Sequence, residues 1–271
     1  MTRSPIQGAV YCTQISYLKG AQDRNSYLRV LSLISPPALA MISSHLSVLE
    51  SSSIKYASAT LFRTPKLDST GRVEEWRSIS YKQFLHDVEL FARYWTRVFD
   101  QDQLPKRSVV GLWYVIIISW YLRLYQYISF RLSGFTYTDV LHIYGISRAG
   151  YIPQLFSLRL PNPDVIYELM HRAGAKVIIY DHTFESILDN CPVPKHCALQ
   201  TERIENVQAS LPGIWDHDEN DTVFIFHTSG STSGSPKLVP MSYRWLNSVV
   251  VKSHHISKPQ IPDRQDVTVS M

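Results

Sequence analysis

Three short apolar runs, none of which alternates with polar residues, most constrain how this 271-residue chain can fold. One run begins at Val109, one spans residues 176–180 (KVIIY) and one spans residues 222–226 (TVFIF). A strand without alternation is typical of a sheet that is covered on both faces. Segments with helical spacing of apolar residues lie between the runs, as at residues 138–148. This order predicts an α/β fold with a mainly parallel sheet covered by helices.

The boundaries of several helices are also predicted from the sequence. The clearest helical pattern begins at Ser80, which with Gln83 has the spacing of a capping box, where each side chain bonds the other residue's backbone amide. A second helix is predicted to start at residues 162–164 (NPD), because asparagine is a good cap and proline fits the first turn. Gly174 is placed to end that helix, and residues 183–188 are predicted to form a short one.

Patterning divides the chain into three parts. Residues 1–40 form a poorly patterned N-terminal extension, residues 41–256 carry the strand and helix patterns, and residues 257–271 form a polar tail. An aliphatic and aromatic content of 45% with only 18% charged residues excludes wholesale disorder. The net charge of +4 is spread without a basic run, so nucleic acid is not an expected partner.

A loop rich in glycine and hydroxyl side chains directly follows the run at residues 222–226. Two glycines allow backbone N–H groups to turn toward an anion, six hydroxyls can donate to phosphate oxygens, and a lysine adds a positive charge. The strand before it predicts a position at the carboxyl edge of the sheet, where open α/β folds bind ligands. We therefore predict a phosphate-binding loop rather than a flexible linker, comprising Thr228, Ser229, Gly230, Ser231, Thr232, Ser233, Gly234, Ser235, Pro236 and Lys237.

The loop sequence TSGSTSGSPK resembles the signature of the adenylate-forming (AMP-binding) superfamily, which includes acyl-CoA synthetases and nonribosomal-peptide-synthetase adenylation domains. The family pattern reads Thr/Ser-Ser-Gly-Ser-Thr-Gly-x-Pro-Lys, and the additional serine here is similar to fungal reductase-type adenylation proteins. Residues 79–81 are similar to one earlier family segment, and residues 148–153 followed by 160–163 are similar to another. The resemblance implies the N-terminal part of the large adenylate-forming domain, incomplete at its C-terminus.

The resemblance also implies a reaction, in which ATP with Mg²⁺ activates a carboxylic acid to an acyl-adenylate. Transfer to the thiol of CoA or of a carrier-bound phosphopantetheine would follow. Lys237 would be catalytic, Gly230 and Gly234 would free the backbone, and the implied phosphate contacts are Thr228, Ser229, Ser231, Thr232 and Lys237. His227, just before the loop, is either a nucleotide contact or a strand-end residue packed at the sheet edge.

The family's adenine, acid-pocket and magnesium-binding residues come later than Met271, so no metal ligand is assigned within this chain. We therefore expect a truncated form with weak nucleotide binding and no turnover. The alternative is a non-catalytic nucleotide-binding or interaction fragment of the same lineage.

One apolar stretch departs from the family pattern. Residues 109–122 are uncharged, but these 14 residues are short of the roughly 20 that span a bilayer, so a membrane partner is not expected. We interpret residues 114–131 as a retained intron translated in frame, since the flanking codons can encode splice-site consensus sequences, with a natural insertion as the alternative.

Three cysteines without zinc-ligand spacing fit a reducing, cytoplasmic setting. His254-His255 is predicted to lie in a polar loop.

Overall fold

A computed structural model describes most of the central part of the chain. The predicted N-terminal extension, the segment 114–131 and the polar tail lie outside the described residues. The residues described are 43–68, 72–113, 136–157, 160, 162–199, 204, 207–214, 217–228 and 236–256.

The helices and strands alternate for most of the described chain. A short 3₁₀ helix, His182–Ile187, follows the fifth strand where the sequence predicts a short helix. In chain order the other elements are α1 (His45–Lys55), β1 (Thr60–Leu67), β2 (Val73–Ser80), α2 (Tyr81–Gln101), β3 (Val109–Trp113), α3 (Tyr137–Arg148), β4 (Ile152–Leu155), α4 (Pro163–Ala173), β5 (Ala175–Tyr180), β6 (Lys195–Cys197), β7 (Thr222–His227), β8 (Leu238–Ser242) and α5 (Tyr243–Ile256).

Six of the strands form one sheet in the order β6-β5-β3-β4-β7-β8, while β1 and β2 form a separate antiparallel hairpin. The first five strands of the sheet are parallel to their neighbours, and β8 is antiparallel to β7. The predicted α/β class with a mainly parallel sheet is therefore confirmed.

Burial on both faces of the sheet explains why its strands are apolar without alternation. In β5, Val177 and Ile179 pack into a core formed with α1, α2 and α3. The alternate residues Ile178 and Tyr180 pack on the opposite face with α4. Since each face is covered, the four successive side chains from Val177 to Tyr180 are all removed from water.

The predicted capping box of α2 is only half formed. The Ser80 hydroxyl oxygen accepts from the Gln83 backbone N–H at 3.2 Å. The Gln83 side chain does not return to Ser80 but donates to a carboxylate oxygen of Asp87 at 2.7 Å. Asp87 also accepts from the Tyr137 hydroxyl at 2.6 Å, and this bond ties α2 to the start of α3. Gln83 thus serves a contact between helices instead of a cap.

The termini of α4 are formed as predicted. Asn162 precedes the helix, and its side-chain oxygen accepts from the Asp164 N–H at 2.9 Å. Pro163 occupies the first helical position, where its missing N–H has no cost. Gly174 ends the helix with a left-handed φ of 68°.

Several elements were not predicted. The helix α1 and the β1–β2 hairpin precede Ser80, where the first clear pattern was found. The prediction for His254 and His255 was wrong, because their backbone lies in the last turn of α5 rather than in a loop. None of the helices within the described residues is both long and apolar enough to cross a membrane.

Gly145 lies where α2 and α3 come closest, and a side chain there should be costly. A Cβ atom at this position would be 2.8 Å from the Phe91 Cβ and 3.4 Å from the Ala92 backbone nitrogen. Alanine for glycine normally stabilises a helix by about 1 kcal/mol. Here we expect Gly145→Ala to lower the free energy of unfolding by about 1–3 kcal/mol, because the two helices must separate. Urea denaturation measures the change.

The control for this variant is Gly174→Asn. No atom lies within 4 Å of a Cβ at Gly174, and asparagine tolerates the left-handed backbone. We expect its free energy of unfolding to fall by less than about 1 kcal/mol, because asparagine meets no neighbour there and pays only part of the strain of the left-handed backbone. A Gly145→Ala protein as stable as wild type would contradict the close packing of the two helices.

Candidate functional site

The predicted phosphate loop joins β7 to β8 at the carboxyl edge of the sheet. The strands β3, β4, β5 and β7 are parallel and therefore end at this same edge. Thr228, Pro236 and Lys237 are described, and we refer to these three residues as the loop neck. The other predicted contacts, which lie outside the described residues, are Ser229, Gly230, Ser231, Thr232, Ser233, Gly234 and Ser235.

The two ends of the loop are bonded to each other. The β7–β8 ladder ends at the pair His227–Leu238, and Thr228 and Lys237 are the next residues outward. The Thr228 N–H donates to the Lys237 carbonyl at 2.9 Å, and the Lys237 N–H donates to the Thr228 hydroxyl oxygen at 3.0 Å. Both residues are exposed, so the neck opens toward solvent at the edge where ligands bind in such sheets.

His227 connects the loop neck to the end of β4. Its Nε2 accepts from the backbone N–H of Ser157 at 2.9 Å, which requires that nitrogen to carry no proton. The ring proton therefore lies on Nδ1, which is 3.0 Å from the Thr228 carbonyl oxygen and can donate to it. The structure places His227 at the sheet edge, bonded to Ser157 and Thr228, and a contact with a nucleotide stays a prediction.

Arg172 connects the loop neck to the last turn of α4. Its Nη1 donates to the Pro236 carbonyl at 3.0 Å and also lies 3.4 Å from a carboxylate oxygen of Glu168. Pro236 itself is buried. Sequence analysis missed Arg172 as a site residue, since the contact joins residues 64 positions apart and a basic residue in a last helical turn is an ordinary feature.

Two carboxylates lie near the same edge of the sheet. Asp139 caps α3 by accepting from the Thr136 N–H at 2.8 Å, and Asp181 follows β5 and caps the 3₁₀ helix. Burial raises the pKa of Asp139 to about 6, with hydrogen bonds from Thr136 acting against the shift and the Asp181 charge adding to it. Within the described parts of the chain, no group of three or more histidine, cysteine or acidic side chains could hold a metal ion.

The comparisons with known proteins find a relative in sequence at 30% identity and several solved structures that share the fold. The chain is 30% identical over 217 residues to an AMP-binding domain-containing enzyme, iboA, of Amanita muscaria (strain Koide BX008). This match covers 78% of the chain and 38% of that enzyme. No protein-family model matches the sequence.

Two solved structures share the fold at low sequence identity. A double mutant of o-succinylbenzoate CoA synthetase (MenE) from Bacillus subtilis, bound to its product analogue OSB-NCoA, matches 78% of this chain and 36% of its own, with 10% identity and a TM-score of 0.54. The nonribosomal peptide synthetase FmoA3 in an AMPPNP-bound form matches 85% of this chain and 20% of its own, with 13% identity and a TM-score of 0.55. The chain thus spans well under half the length of each of these three proteins.

Proposed function

Because the chain belongs to the adenylate-forming (AMP-binding) superfamily, with a sheet that matches the N-terminal subdomain of these enzymes, we propose that it supplies the phosphate-binding loop for ATP-dependent activation of a carboxylic acid. In this reaction a carboxylate oxygen attacks the α-phosphorus of ATP. The bond from that phosphorus to the oxygen bridging the β-phosphate breaks, and pyrophosphate leaves. The products are an acyl-adenylate and pyrophosphate, with no oxidation or reduction.

The acyl group is then passed to a thiol. The thiolate sulfur attacks the acyl carbon, and AMP leaves from the resulting intermediate. Either CoA or the phosphopantetheine of a carrier protein has the required thiol. The MenE structure carries a CoA product analogue and FmoA3 is a peptide synthetase, so the two relatives in fold support both kinds of acceptor.

The observation that carries the proposal is the loop neck at the carboxyl edge of a parallel sheet. Lys237 is exposed there and can place its ammonium group beside the phosphates. The Thr228 hydroxyl oxygen accepts from the Lys237 N–H, which leaves the hydroxyl proton to donate to a phosphate oxygen. Catalysis by such a loop consists of positioning and charge stabilisation, without a covalent intermediate on the protein.

The remaining roles in the loop are proposed from the signature alone. Ser229, Ser231 and Thr232 would donate hydroxyls to the β- and γ-phosphates, and Gly230 and Gly234 would allow backbone N–H groups to face them. Ser233, Ser235 and Pro236 complete the segment that surrounds the phosphates.

We propose Mg²⁺ as the cation that accompanies ATP and the cytoplasm as the compartment of the reaction. The described residues offer no cluster of ligands for a metal, so we assign Mg²⁺ no protein contact. The proposal of the cytoplasm rests on the sequence, in which three cysteines are too few for a disulfide framework.

The test of this function is the binding of Mg²⁺-ATP by the purified chain, measured by equilibrium dialysis with labelled nucleotide. Removing the ammonium group in Lys237→Ala should weaken binding by roughly tenfold or more, because hydrogen bonds to charged groups contribute about 1.5–3 kcal/mol. Lys176→Ala is the matched control, since Lys176 is an exposed lysine near the amino end of β5.

Equal ATP affinity in the wild-type and Lys237→Ala proteins would contradict the role of the lysine. A folded wild-type chain that is indifferent to ATP would instead favour a non-catalytic interaction fragment. ATP–pyrophosphate exchange by this chain with any of a panel of carboxylic acids would contradict the expectation that it binds nucleotide without turnover.

A further inference from the structure

We propose that His227 and Arg172 are positioning residues that hold the phosphate loop from both ends, one against β4 and the other against α4. Neither residue belongs to the loop itself, and neither is expected to touch the phosphates. The inference rests on the proposed function for the identity of the ligand. Its geometry rests only on the hydrogen bonds at the loop neck.

His227 can hold the entry of the loop in only one protonation form. With the proton on Nδ1, the ring accepts from the Ser157 N–H and donates to the Thr228 carbonyl. With the proton on Nε2, that N–H would face the Ser157 N–H and Nδ1 would face a carbonyl oxygen, so both bonds would be lost. The Phe156 ring, at an angle of 26° and a centroid distance of 6.3 Å, lies beside the imidazole. The two hydrogen bonds, to Ser157 and to Thr228, therefore select the Nδ1–H tautomer.

Arg172 holds the exit of the loop by fixing one peptide unit. The Pro236 carbonyl accepts from Arg172, and the N–H of the same peptide unit, on Lys237, donates to the Thr228 hydroxyl oxygen. Because a peptide unit is planar, these two bonds fix the direction of the backbone at the point where Lys237 leaves the loop. Without Arg172, the peptide unit would be held from one side only.

The two contacts tie the loop to β4 and α4, which lie on one side of the crevice at this edge of the sheet. The strand β3 is followed by α3 on one face of the sheet, and β4 is followed by α4 on the other, which creates the crevice that ligands use in open α/β sheets. Donor groups stabilise a phosphate best when they are fixed before it arrives. Through His227 and Arg172, the loop neck is fixed relative to the β4–α4 side of that crevice.

The test uses the full chain and Mg²⁺-tripolyphosphate, a probe that has phosphates but no adenosine. Long-range ¹H–¹⁵N spectra of histidine-labelled wild type report which ring nitrogen of His227 carries the proton. Titration of the probe, followed through the amide signals of Thr228 and Lys237, gives the affinity.

We expect the Nδ1–H tautomer in the wild type. His227→Phe and Arg172→Ala should each weaken tripolyphosphate binding by roughly three- to tenfold, the range expected for the loss of one or two neutral or singly charged hydrogen bonds. His227→Gln should restore most of the affinity, because its side-chain oxygen can take the place of Nε2 and accept from Ser157.

Two control variants separate positioning from general damage. Arg93→Ala removes an arginine that, like Arg172, pairs with a glutamate four residues earlier, but on α2. His182→Phe replaces a histidine that follows β5 and lies beside Asp181. Both controls should bind tripolyphosphate as wild type does. In thermal unfolding, the control variants and the test variants should have similar melting temperatures.

The outcomes distinguish this inference from the proposed function. An Nε2–H tautomer, or wild-type affinity in both His227→Phe and Arg172→Ala, would overturn the positioning roles while leaving phosphate binding intact. A wild-type chain that shows the Nδ1–H tautomer but binds no tripolyphosphate would overturn the proposed function and, with it, the role of these residues in phosphate binding.

Discussion

Replacing Trp95 with alanine is expected to lower the free energy of unfolding by about 3–5 kcal/mol, the range for removing a large buried aromatic side chain. Trp95 is only 1% exposed and lies in the middle of α2. Its ring stacks on Phe99 at a centroid distance of 5.3 Å and lies 5.8 Å from the ring of His142 on α3. The helices α2 and α3 around Trp95 also share other core residues, so we expect the cavity left by the alanine to stay largely open. Urea denaturation monitored by circular dichroism measures the loss.

The chain supplies its own control for this experiment. Trp76 on β2 is 60% exposed, so Trp76→Ala removes the same side chain without opening a cavity. We expect its free energy of unfolding to stay within about 0.5 kcal/mol of wild type. Similar losses in the two variants would show that the core does not centre on α2.

The second large effect is a change in acid sensitivity when His45 becomes phenylalanine. When the pH is lowered from 7 to 4.5, the free energy of unfolding should fall in both proteins. The fall should be about 2–3 kcal/mol smaller in His45→Phe than in the wild type. His45 is buried between the rings of Tyr144 and Phe224, and neither of its nitrogens has a hydrogen-bond partner among the described residues. Burial, with a smaller contribution from His217, lowers its pKa to about 3.

The sign of this effect follows from where the proton binds. The unfolded chain takes up a proton at His45 as the pH falls below about 6.5, whereas the folded chain resists it until about pH 3. The contribution of His45 to the free energy of unfolding is therefore fully present above about pH 6.5 and is lost as the pH falls toward 3. The raised pKa of Asp139 acts in the opposite sense, but it does so equally in both proteins. Urea denaturation at several pH values measures the difference, and identical profiles would contradict the prediction.

His142 provides the contrast, since it is also buried but has partners. Its Nδ1 is 2.8 Å from the Thr138 carbonyl, to which it donates, and its Nε2 accepts from the Leu199 N–H at 3.2 Å. Burial lowers its pKa to about 4, while the bond to Thr138 opposes the shift. At pH 7, His142→Phe should lower the free energy of unfolding by about 1–3 kcal/mol, because two partly buried backbone groups each lose a hydrogen-bond partner. His45→Phe leaves no such group behind.

The sequence predicts best those elements that are buried on both faces or have clear end signals. The strands β3, β5 and β7 are continuous apolar runs, and α4 has both its cap and its terminal glycine. The β1–β2 hairpin gives no such signal, because β2 is mostly exposed and even Trp76 on it faces solvent. Helix α1 is not predicted for another reason. The residues that it buries include Ser47, Ser52 and Ser53, so its buried face does not appear as an apolar pattern in the sequence.

The candidate site also has features that the sequence predicts and contacts that only the structure shows. The composition of the loop, and its position after a buried strand, are local properties that the sequence displays directly. The contacts of the neck with Ser157 and Arg172 join residues 70 and 64 positions apart. Such contacts depend on which strands become neighbours in the sheet, and local spacing carries no information about that order.

The return of the chain along β8 has a consequence for how this loop can evolve. Because β7 and β8 are adjacent and antiparallel, the distance between Thr228 and Lys237 is set by the spacing of paired strands, not by the number of residues between them. Insertions and deletions at the tip therefore leave the threonine and the lysine in place. Relative to the signature that TSGSTSGSPK resembles, the additional serine would be a length change of this kind, which a connection between adjacent antiparallel strands can accept more easily than a crossover connection.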